Sequence, residues 1–595
     1  MKELEYPFDG KYIIGKKIKL RRQLKNDGSH RIQKRVAILG GFTTNDIKLC
    51  IELFLLNKGI EPEFYESEYN QFYQDAMFPS DDLIAFHPDF IYVCTSNRNI
   101  SRFPLLQDST ETIENMLQNE MTRFKAVWAS LENNFHCPII QNNFDKPLYR
   151  LMGNKDISDN HGMGNFISRL NIMFNEYAQA HDNFYICDLD YISSDYGLSA
   201  WHDEQCWYMY KYAMALFAIP LLSFNVANII KSLLGRNKKG FVLDLDNTLW
   251  GGVIGDDGVD NIKLGHEDAT SMAYLNFQEY LKAHQQLGII LNVDSKNDES
   301  NAMAGLNHPE GVLRPRDMIV IKANWEPKDR NFKQIADDLT LLPESLVFVD
   351  DNPAERHIIS EQLPGVIAPD IGEVQDYIRI IDRSGFFETT IISADDSKRN
   401  QMYRANVERA QLKSKYNNYE DYLKSLNMKA TIHAFEPVLM ARISQLCNKS
   451  NQFNLTTKRY TQEEIEKIAR DTRYIDLYGR LVDCFGDNGV VTVVIGHQNN
   501  NILDIDLWIM SCRVLKRGLE YAMMDELIEC CKKRDVYKVI GHYYPTDKNG
   551  MVKEFFGLHG FKKIEEDAKG NAQWELLVNN YEKKNQVIEV NGGEK

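Results

Sequence analysis

The sequence predicts a multidomain α/β protein, with two doubly wound parallel-sheet domains followed by an α+β domain. A chain of 595 residues is too long for one hydrophobic core. Short apolar runs alternate with helical segments in two successive regions, a pattern typical of parallel sheets. The last region instead has two adjacent strands joined by a polar turn and followed by a helix, which indicates a mixed arrangement.

The first region, after an N-terminal extension over 1–34, is predicted to span 35–238. We expect a parallel sheet because helical stretches separate its strand candidates. A polar, glycine-bounded segment, GRNKKG, ends the region and predicts a joint between domains. The predicted strands lie at 35–39, 89–95, 137–143 and 183–190.

The second region is predicted to span 239–375 and repeats the alternation. Helices are expected at 268–287 and 329–340. The polar, helix-rich segment 376–427 that follows is predicted to be a helical connector. The strand candidates of this second region lie at 241–246, 288–295, 317–323 and 345–351.

The third region is predicted to span 428–578. Its strand pair lies within 489–512 and its helix within 517–533. The last segment, 579–595, is polar and is predicted to be a flexible tail.

Composition limits the classes of function. The net charge of -16 argues against general affinity for nucleic acid. Ten cysteines without a CxxC spacing are typical of free thiols in a reducing compartment. The longest apolar stretch, 213–230, is interrupted by polar residues and a proline, so we interpret it as a packed helix and turn. We therefore expect a cytoplasmic protein without nucleic-acid or membrane partners.

Two aspartates follow a buried strand of the second region. Asp244 and Asp246 share a face because strand side chains alternate with a period of two. At the carboxyl end of a parallel strand, both open into the crevice where α/β sheets bind ligands. Two close carboxylates repel each other, and a hard cation such as Mg²⁺ removes that penalty.

The ends of the other strands complete a set of residue types that phosphoryl transfer needs. An attacking carboxylate forms an acyl phosphate, a second acid moves the proton, and hydroxyl, amide and cationic groups bind the phosphate oxygens. The candidates for phosphate binding and for additional metal ligation are Thr248, Ser295, Lys296, Asn297, Lys328, Asp350 and Asp351. For LDLD alone, an acidic pair that caps a helix or turn is an equally good interpretation. The ordered set of residues at successive strand ends favours a catalytic site instead.

The phrases DLDNTLWGGVIGDDG, DSKND, NWEPK and FVDDNPAER resemble the FkbH-like branch, subfamily IIIC, of the haloacid-dehalogenase (HAD) superfamily of phosphatases and phosphotransferases. The resemblance covers about 240–370. It implies that Asp244 is the nucleophile and Asp246 the acid/base, while Ser295 and Lys328 bind phosphate. It also implies a Mg²⁺ site formed by Asp244, the Asp246 carbonyl, and Asp351 or Asp350. The short segment between Asp246 and Ser295 leaves room only for a small flap and a helix.

Many FkbH-like proteins carry a cysteine immediately before the motif serine, as the proposed acyl acceptor for a glyceryl unit. This chain has Asp294 there, and a carboxylate cannot replace a thiolate in forming a thioester. Cys94, Cys187 and Cys512 are the alternative thiols that we considered.

The third region resembles a GNAT-like acyltransferase module in SNQFNLTTKRYT, DNGVVTVVIG, LDIDLWIMSCRVLKRGLE, YYPTDKN and FFGLHGFKK. The resemblance implies binding of coenzyme A, or of a carrier-protein phosphopantetheine, at a basic-glycine turn before a helix. Glu520 stands where the signature has a small residue. A solvated or salt-bridged turn is the alternative for the arginines, and a buried hydrogen-bonding role is the alternative to substrate contact for Asn451, Gln452 and Asn454. The candidate acyl-binding residues are Arg513, Arg517, Gly518 and Asn549.

The first region resembles a divergent SGNH-hydrolase fold in its strand order, in GGFTTN and in WHDEQCW. Thr43 or Thr44 stands near the nucleophile position, and Asp195 precedes His202 at an unusual spacing. We therefore favour a degenerate domain used for binding or assembly, with His202 and Trp201 as a packed pair.

The main hypothesis is an FkbH-like, Mg²⁺-dependent phosphatase or phosphotransferase. It acts on a phosphorylated small acid or sugar-related metabolite and is coupled to acyl transfer in secondary-metabolite or surface-polysaccharide biosynthesis. The alternatives are glyceryl transfer from 1,3-bisphosphoglycerate to an acyl carrier protein, a plain phosphatase with accessory domains, and a noncatalytic carrier-protein scaffold.

Overall fold

The computed structural model describes residues 1–392 and 394–592. Its chain divides into two compact units, unit 1 (1–232) and unit 2 (233–595). The predicted fold class is confirmed: unit 1 has a five-stranded parallel sheet, and unit 2 has a four-stranded parallel sheet and a nine-stranded mixed sheet. The domain boundaries within unit 2 stay predictions.

All five strands of the unit 1 sheet run parallel, in the order β2-β1-β3-β4-β5. The four predicted strands are confirmed, and sequence reasoning missed β2. Its sequence, IEPEFYE, contains Pro62 and three glutamates, which are tolerated because β2 is an edge strand. The strands are β1 (Ile32–Gly40), β2 (Ile60–Glu66), β3 (Phe90–Cys94), β4 (Ile139–Asn142) and β5 (Phe184–Cys187).

Helices flank the unit 1 sheet. The predicted N-terminal extension contains α1, which packs against α2 and forms an ion pair between Arg21 and Glu52 at 2.7 Å. The helices are α1 (Gly10–Lys25), α2 (Asn45–Asn57), α3 (Phe72–Met77), α4 (Asp81–Phe86), α5 (Thr110–Phe135), α6 (Met163–Ala180), α7 (Leu189–Tyr196), α8 (Leu198–Trp201), α9 (Glu204–Tyr210) and α10 (Ile219–Leu233).

The apolar stretch around α10 is long and apolar enough to cross a membrane. Of its 18-residue window, 216–233, 72% is buried inside the protein. This burial agrees with the expected packed helix, because core helices of globular proteins are apolar on most sides.

The first sheet of unit 2 has the order β8-β7-β6-β9, all parallel, as the sequence predicts. Its strands are buried on both faces by helices, so their sequences are almost continuously apolar. The elements are β6 (Gly240–Leu243), α11 (Ile254–Asp257), α12 (Ala269–Gln286), β7 (Ile290–Ser295), α13 (Glu299–Leu306), β8 (Met318–Ala323), α14 (Lys328–Leu339), β9 (Leu346–Val349), α15 (Pro353–Gln362) and α16 (Tyr377–Arg383).

The predicted connector contains α17 (Ala394–Lys413) and α18 (Tyr419–Ser425). Tyr403 of α17 is buried in the same apolar cluster as Phe332 and Phe348 of the first unit 2 sheet region. Arg409 of α17 makes two hydrogen bonds to Asp483, at 2.9 and 2.8 Å. The connector is therefore part of the packed interior of unit 2.

The mixed sheet of unit 2 has the order β16-β17-β15-β14-β13-β12-β10-β18, with β11 beside β14. Its pairs are antiparallel except β14 with β15 and β10 with β18. The elements are β10 (Met428–His433), α19 (Met440–Lys449), β11 (Phe453–Asn454), α20 (Gln462–Arg470), β12 (Tyr474–Asp483), β13 (Gly486–Asn499), β14 (Ile502–Met510), α21 (Leu519–Lys533), β15 (Lys538–Tyr543), α22 (Phe555–Leu558), β16 (Lys562–Glu566), β17 (Ala572–Leu577) and β18 (Ile588–Gly592).

The prediction of a flexible tail over 579–595 is wrong for its described part. Strand β18 pairs in parallel with β10, and Ile588 is buried in the core of the mixed sheet. The backbone N–H groups of Lys584 and Asn585 donate to the Asp525 carboxylate at 3.0 and 3.1 Å. A polar segment is ordered here because a buried carboxylate and an open strand edge accept its backbone. Residues 593–595 lie outside the described part of the chain.

Candidate active site

Three carboxylates meet at the carboxyl edge of the first unit 2 sheet. Asp244 follows β6, and Asp350 and Asp351 follow the neighbouring strand β9. One oxygen of each lies within 4.8 Å of the other two. The parallel pairing of β6 with β9 produces this cluster, because it carries both strand ends to one edge. The predicted metal-binding residues Asp244, Asp350 and Asp351 are thus together, and the Asp246 side chain belongs to a separate hydrogen-bonding group.

Lys328, the first residue of α14, lies against this cluster. Its Nζ is 3.0 Å from Asp244 Oδ1 and 2.6 Å from Asp350 Oδ2. Burial lowers the pKa of Lys328, but Asp244 and Asp350 raise it by more than burial lowers it. The pKa therefore lies above its usual value, and the lysine stays charged. Burial raises the pKa values of Asp350 and Asp351, and the charge of Asp244 adds to both shifts.

The carboxylate group of Asp246 is held by three donors. Trp250 Nε1 and the Ile254 N–H donate to Oδ1 at 2.9 and 3.1 Å. Asn297 Nδ2 donates to Oδ2 at 2.9 Å. Burial raises the pKa of Asp246, and the charge of Asp244 adds to the shift, while the hydrogen bonds lower it. The Asp246 carboxyl is therefore fixed in orientation, and its pKa lies above the usual value.

The loop after Asp246 shows what the Trp-Gly-Gly sequence does. Trp250 is fully buried and its indole N–H finds its partner on Asp246, as a buried indole requires. Gly251 exchanges backbone hydrogen bonds with Lys263, closing a small flap. Gly252 has φ +94 and donates its N–H to Asn247 Oδ1 at 2.9 Å. Sequence reasoning missed the role of Trp250, although an indole four residues after a catalytic-type aspartate was the available signal.

The predicted phosphate-binding residues have different positions. Ser295 is buried at the end of β7, in the strand beside β6. Thr248 Oγ1 accepts the Asp351 N–H at 3.2 Å, so it joins the loops after β6 and β9. Asn297 orients Asp246. Lys296 is half-exposed, and its Nζ forms an ion pair at 2.6 Å with Glu355, a partner that sequence reasoning missed.

Asp294, which stands before the motif serine Ser295, is fully buried and therefore not solvated. Asn331 Nδ2 donates to Asp294 Oδ1 at 3.1 Å, and within the described part of the chain Oδ2 has no hydrogen-bond partner. Burial raises the pKa of Asp294 to about 8, although Lys328 and Asn331 lower it. The carboxyl is thus mainly protonated at neutral pH, and no thiol stands beside the motif serine.

The other candidate thiols are not part of the acidic cluster. Cys94 and Cys187 are buried in unit 1. Cys512 Sγ is 3.3 Å from Lys239 Nζ, and Lys239 precedes β6, at the opposite end of that strand from Asp244. Cys512 therefore does not replace the missing thiol.

The acidic cluster fits a hard divalent cation. Asp244 and Asp350 are buried, Asp351 is half-buried, and Lys328 supplies one positive charge against three carboxylates. Like charges held this close in a buried site are stable only when a cation or protons compensate them. Carboxylate oxygens are the donors that Mg²⁺ prefers.

The predicted acyl-binding arginines lie inside unit 2. Arg517 Nη1 donates to Asp483 Oδ2 at 2.9 Å and Nη2 to Asn406 Oδ1 at 2.9 Å. Arg513 Nε donates to Ser511 Oγ at 3.1 Å, and both guanidinium groups are buried. The salt-bridged alternative describes Arg517, and the structure does not bring either side chain to an open surface.

Gly518 precedes α21 with φ +80, as a tight turn at a helix start requires. The first turn of that helix already carries Glu520, which disfavours an added anion. Asn549 is fully buried and donates to the carbonyls of Asn454 and Tyr544, both at 2.9 Å. The buried hydrogen-bonding alternative holds for Asn454, whose Oδ1 accepts two backbone N–H groups.

The hydrolase-like residues of unit 1 do not assemble into a triad. The Thr43 hydroxyl donates to the Tyr210 carbonyl at 2.6 Å, and Thr44 Oγ1 donates to Glu66 at 2.7 Å. His202 Nε2 lies 4.0 Å from Oδ2 of buried Asp145. Trp201 Nε1 donates to Asp145 Oδ2 at 3.1 Å, and His202 Nε2 lies 2.9 Å from the Lys146 carbonyl oxygen. His202 and Trp201 form a packed pair, as expected.

The parallel sheet of unit 2 and its acidic cluster define the class as a HAD-like phosphatase-domain protein. The N-terminal part of the protein BF1531 from Bacteroides fragilis, which contains a phosphatase domain and was crystallised with Mg, is 31% identical. It aligns over 63% of this chain and 99% of its own length, with a TM-score of 0.59. Residues 35–231 match the family described as "FkbH, N-terminal domain". The chain belongs to the FkbH-like family.

The C-terminal part is similar to acetyltransferase structures at low identity. The ribosomal-protein-S18-alanine N-acetyltransferase of Escherichia coli is 13% identical over 25% of this chain and 94% of its own, with a TM-score of 0.20. Rv2747 from Mycobacterium tuberculosis, in complex with CoA, is 15% identical over 24% of this chain and 98% of its own, with a TM-score of 0.20. No curated protein matches the sequence.

Proposed function

We propose that the protein is a Mg²⁺-dependent phosphatase or phosphotransferase acting on a phosphorylated small acid or sugar-related metabolite. The single observation that carries the proposal is the close group of Asp244, Asp350 and Asp351 against the buried Lys328 at one edge of the sheet. The Mg of BF1531 supports the choice of cation. When bound by these three carboxylates, Mg²⁺ supplies positive charge for the phosphoryl oxygens.

Asp244 is the proposed nucleophile. An Asp244 carboxylate oxygen attacks phosphorus, the bond from phosphorus to the leaving oxygen breaks, and an acyl phosphate forms. The Asp244 N–H donates to the Val349 carbonyl at 2.9 Å, which fixes this residue against β9. Lys328 and Ser295 bind the non-bridging phosphoryl oxygens, because one is a buried cation and the other a hydroxyl at the next strand end.

Asp246 is the proposed acid and base. Held by Trp250, Ile254 and Asn297, it protonates the leaving oxygen in the first step. In the second step it removes a proton from the acceptor, which attacks phosphorus and breaks the bond between phosphorus and the Asp244 oxygen. With water as that acceptor the reaction is a hydrolysis, and with another hydroxyl or thiol it is a transfer. We also propose that the protein belongs to subfamily IIIC and that it acts in secondary-metabolite or surface-polysaccharide biosynthesis.

Coupling to acyl transfer is the second part of the proposal. Its support is the mixed sheet with the parallel pair of β14 and β15 and the glycine turn before α21. The acyl carrier would be coenzyme A or the phosphopantetheine of an acyl carrier protein. Glyceryl transfer receives no support from the position of Asp294. Free thiols at all ten cysteines support a cytoplasmic location.

The test is phosphate release from para-nitrophenyl phosphate and from a panel of phosphorylated acids and sugars, with Mg²⁺. Asp244→Asn is expected to lower the rate at least about a thousandfold, because an amide is a poor nucleophile. Asp260→Asn, an exposed aspartate on the flap, is the matched control and is expected to be unchanged. Wild-type protein inactive on the whole panel would favour the noncatalytic scaffold.

Acyl transfer is tested by adding holo-acyl carrier protein together with a panel substrate from which phosphate is released. An increase in the mass of the carrier protein would distinguish acyl transfer from a plain phosphatase. If phosphate is released while the carrier protein stays unmodified and coenzyme A stays unacylated, the result would favour a plain phosphatase with accessory domains.

A further inference from the structure

A cavity of about 350 Å³ lies in unit 1, and neither Trp201 nor His202 is among the residues that line it. Its walls come from the segments that follow β2 and β3 and from α5. In the sheet, β1 lies between β2 and β3, so the strand order reverses beside this cavity. Parallel α/β sheets bind small molecules outside the carboxyl ends of their strands at such positions. The cavity therefore lies where a ligand site is expected.

Two arginines, Arg98 and Arg123, supply the charge of the cavity wall. The other lining residues are neutral, and none of the described residues that line the cavity is acidic. The wall therefore presents cationic and amide groups, which favours an anion.

Both arginines are held in place from outside the cavity. Arg98 forms an ion pair with Glu204, and its guanidinium lies 4.3 Å from the ring centre of Trp207. The guanidinium of Arg123 lies 4.6 Å from the ring centre of Phe124. Aromatic contacts and a single ion pair fix a guanidinium without using all its donors.

Hydrogen-bond donors remain on both arginines. Arg123 Nη2 donates to the Asn99 carbonyl at 2.7 Å and to Glu120. Nη1 of Arg98 and of Arg123 makes no hydrogen bond to the described residues, whereas the Nε atoms of both are buried. A guanidinium has five N–H donors in a planar fork that matches carboxylate and phosphate oxygens. The site is thus fixed in position and only partly satisfied.

The loops that form the cavity are also tied together. Asn99 Nδ2 donates to the Gly41 carbonyl at 2.7 Å, and Asn99 Oδ1 accepts the Ser96 N–H at 3.0 Å. A Cβ at Gly41 would lie 2.4 Å from Asn99 Nδ2, so only glycine fits beneath this contact. Such locked loops reduce the ordering cost of binding.

We propose that this cavity binds a small metabolite through a carboxylate or phosphate group, with Arg98 and Arg123 as the ligands of the oxyanion. The neutral side chains of Asn70, Tyr73 and Gln74 contact the remainder of the molecule. The cavity volume is at the lower end of the range for small-molecule sites, which excludes a large polymer as the occupant. This site is independent of the phosphatase proposal, because all its residues belong to unit 1.

The test is isothermal titration of the full chain with malonate and, separately, with inorganic phosphate, in the presence of EDTA. Saturable binding of one equivalent is expected, and the tighter of the two anions identifies the head group. Arg98→Gln and Arg123→Gln are each expected to weaken binding at least tenfold, while Arg98→Lys, which keeps the charge, weakens it less. Arg102→Gln, an exposed neighbour paired with Asp108, is the matched control and should leave binding unchanged.

Three outcomes would overturn the proposal. They are no binding of either anion, binding that survives Arg98→Gln and Arg123→Gln, or malonate binding that is lost in Lys328→Met, which would place it at the acidic cluster of unit 2. Circular dichroism of each variant and its rate of phosphate release report whether the chain is still folded.

Discussion

At the scale of single residues, the site depends on side chains whose neighbours decide their chemistry. Asp244, Asp246 and Asp294 are three carboxyl groups within one region, yet each has different partners. Lys328 contacts the first, three hydrogen-bond donors hold the second, and Asn331 donates to the third. These different contacts support the different roles that we propose for Asp244 and Asp246.

Asp294 makes stability depend on pH. The folded protein holds this proton up to about pH 8, whereas the usual pKa of the carboxyl is 3.8, so stability from this group falls as pH rises between these values. Asp294→Asn removes the dependence and keeps an oxygen to accept from Asn331. We expect the variant to gain stability over wild type by up to about 1 kcal/mol per pH unit between about pH 5 and about pH 8. Urea unfolding in EDTA at several pH values measures this, and a gap that does not grow with pH would contradict it.

Arg517 provides a second residue-scale prediction. Because its buried guanidinium compensates Asp483, Arg517→Met is expected to cost about 3 kcal/mol of unfolding free energy. Arg473→Met, at an exposed ion pair with Asp471, is the control and should leave the unfolding midpoint unchanged. A folded Arg517→Met variant of wild-type stability that has lost coenzyme A binding would instead restore the predicted role in acyl-group binding.

At the scale of elements, strand ends explain why much of the site was predictable. Buried parallel strands have strongly apolar sequences, so the positions where they end can be located from the sequence. The polar residues at those positions are the functional candidates. All four strands of the first unit 2 sheet were predicted in this way. Strand β2 and strand β18 were missed because each lies at a sheet edge, where a polar sequence is compatible with pairing.

Strand β18 gives the element-scale prediction. Ile588 is 6% exposed and packs into the mixed-sheet core, so Ile588→Ala is expected to lower the unfolding free energy by about 2 to 4 kcal/mol. Glu589→Gln, in the same strand with an exposed ion pair to Lys429, should change it by less than about 0.5 kcal/mol. Equal effects of the two substitutions in urea unfolding would indicate that the strand does not pack as described.

At the scale of the whole molecule, the sequence predicts three domains, and the chain divides into two compact units, the second of which contains two sheets. The alternation of strands and helices in the sequence predicts the parallel sheets, but it does not predict how α17 packs. Arg409 and Tyr403 of that helix are buried by residues distant in sequence, so the predicted connector joins the interior of unit 2. Side-chain partners across such distances cannot be derived from local pattern.

The division into units predicts how the activity separates. Residues 233–595 contain every proposed phosphatase residue, so this fragment is expected to release phosphate at a rate within about threefold of the full chain. Initial rates at equal protein concentration measure it. A folded fragment without activity would show that unit 1 takes part in the reaction.

The most direct test of the central claim is to find the phosphoryl group on the protein. Wild-type chain mixed with acetyl phosphate and Mg²⁺ is quenched in acid and reduced with borohydride, which converts a phosphorylated aspartate to homoserine. Tandem mass spectrometry is expected to locate homoserine at position 244 in wild type and to find none in Asp244→Asn. Homoserine at another position, or continued turnover by Asp244→Asn, would contradict the assignment of Asp244 as the nucleophile.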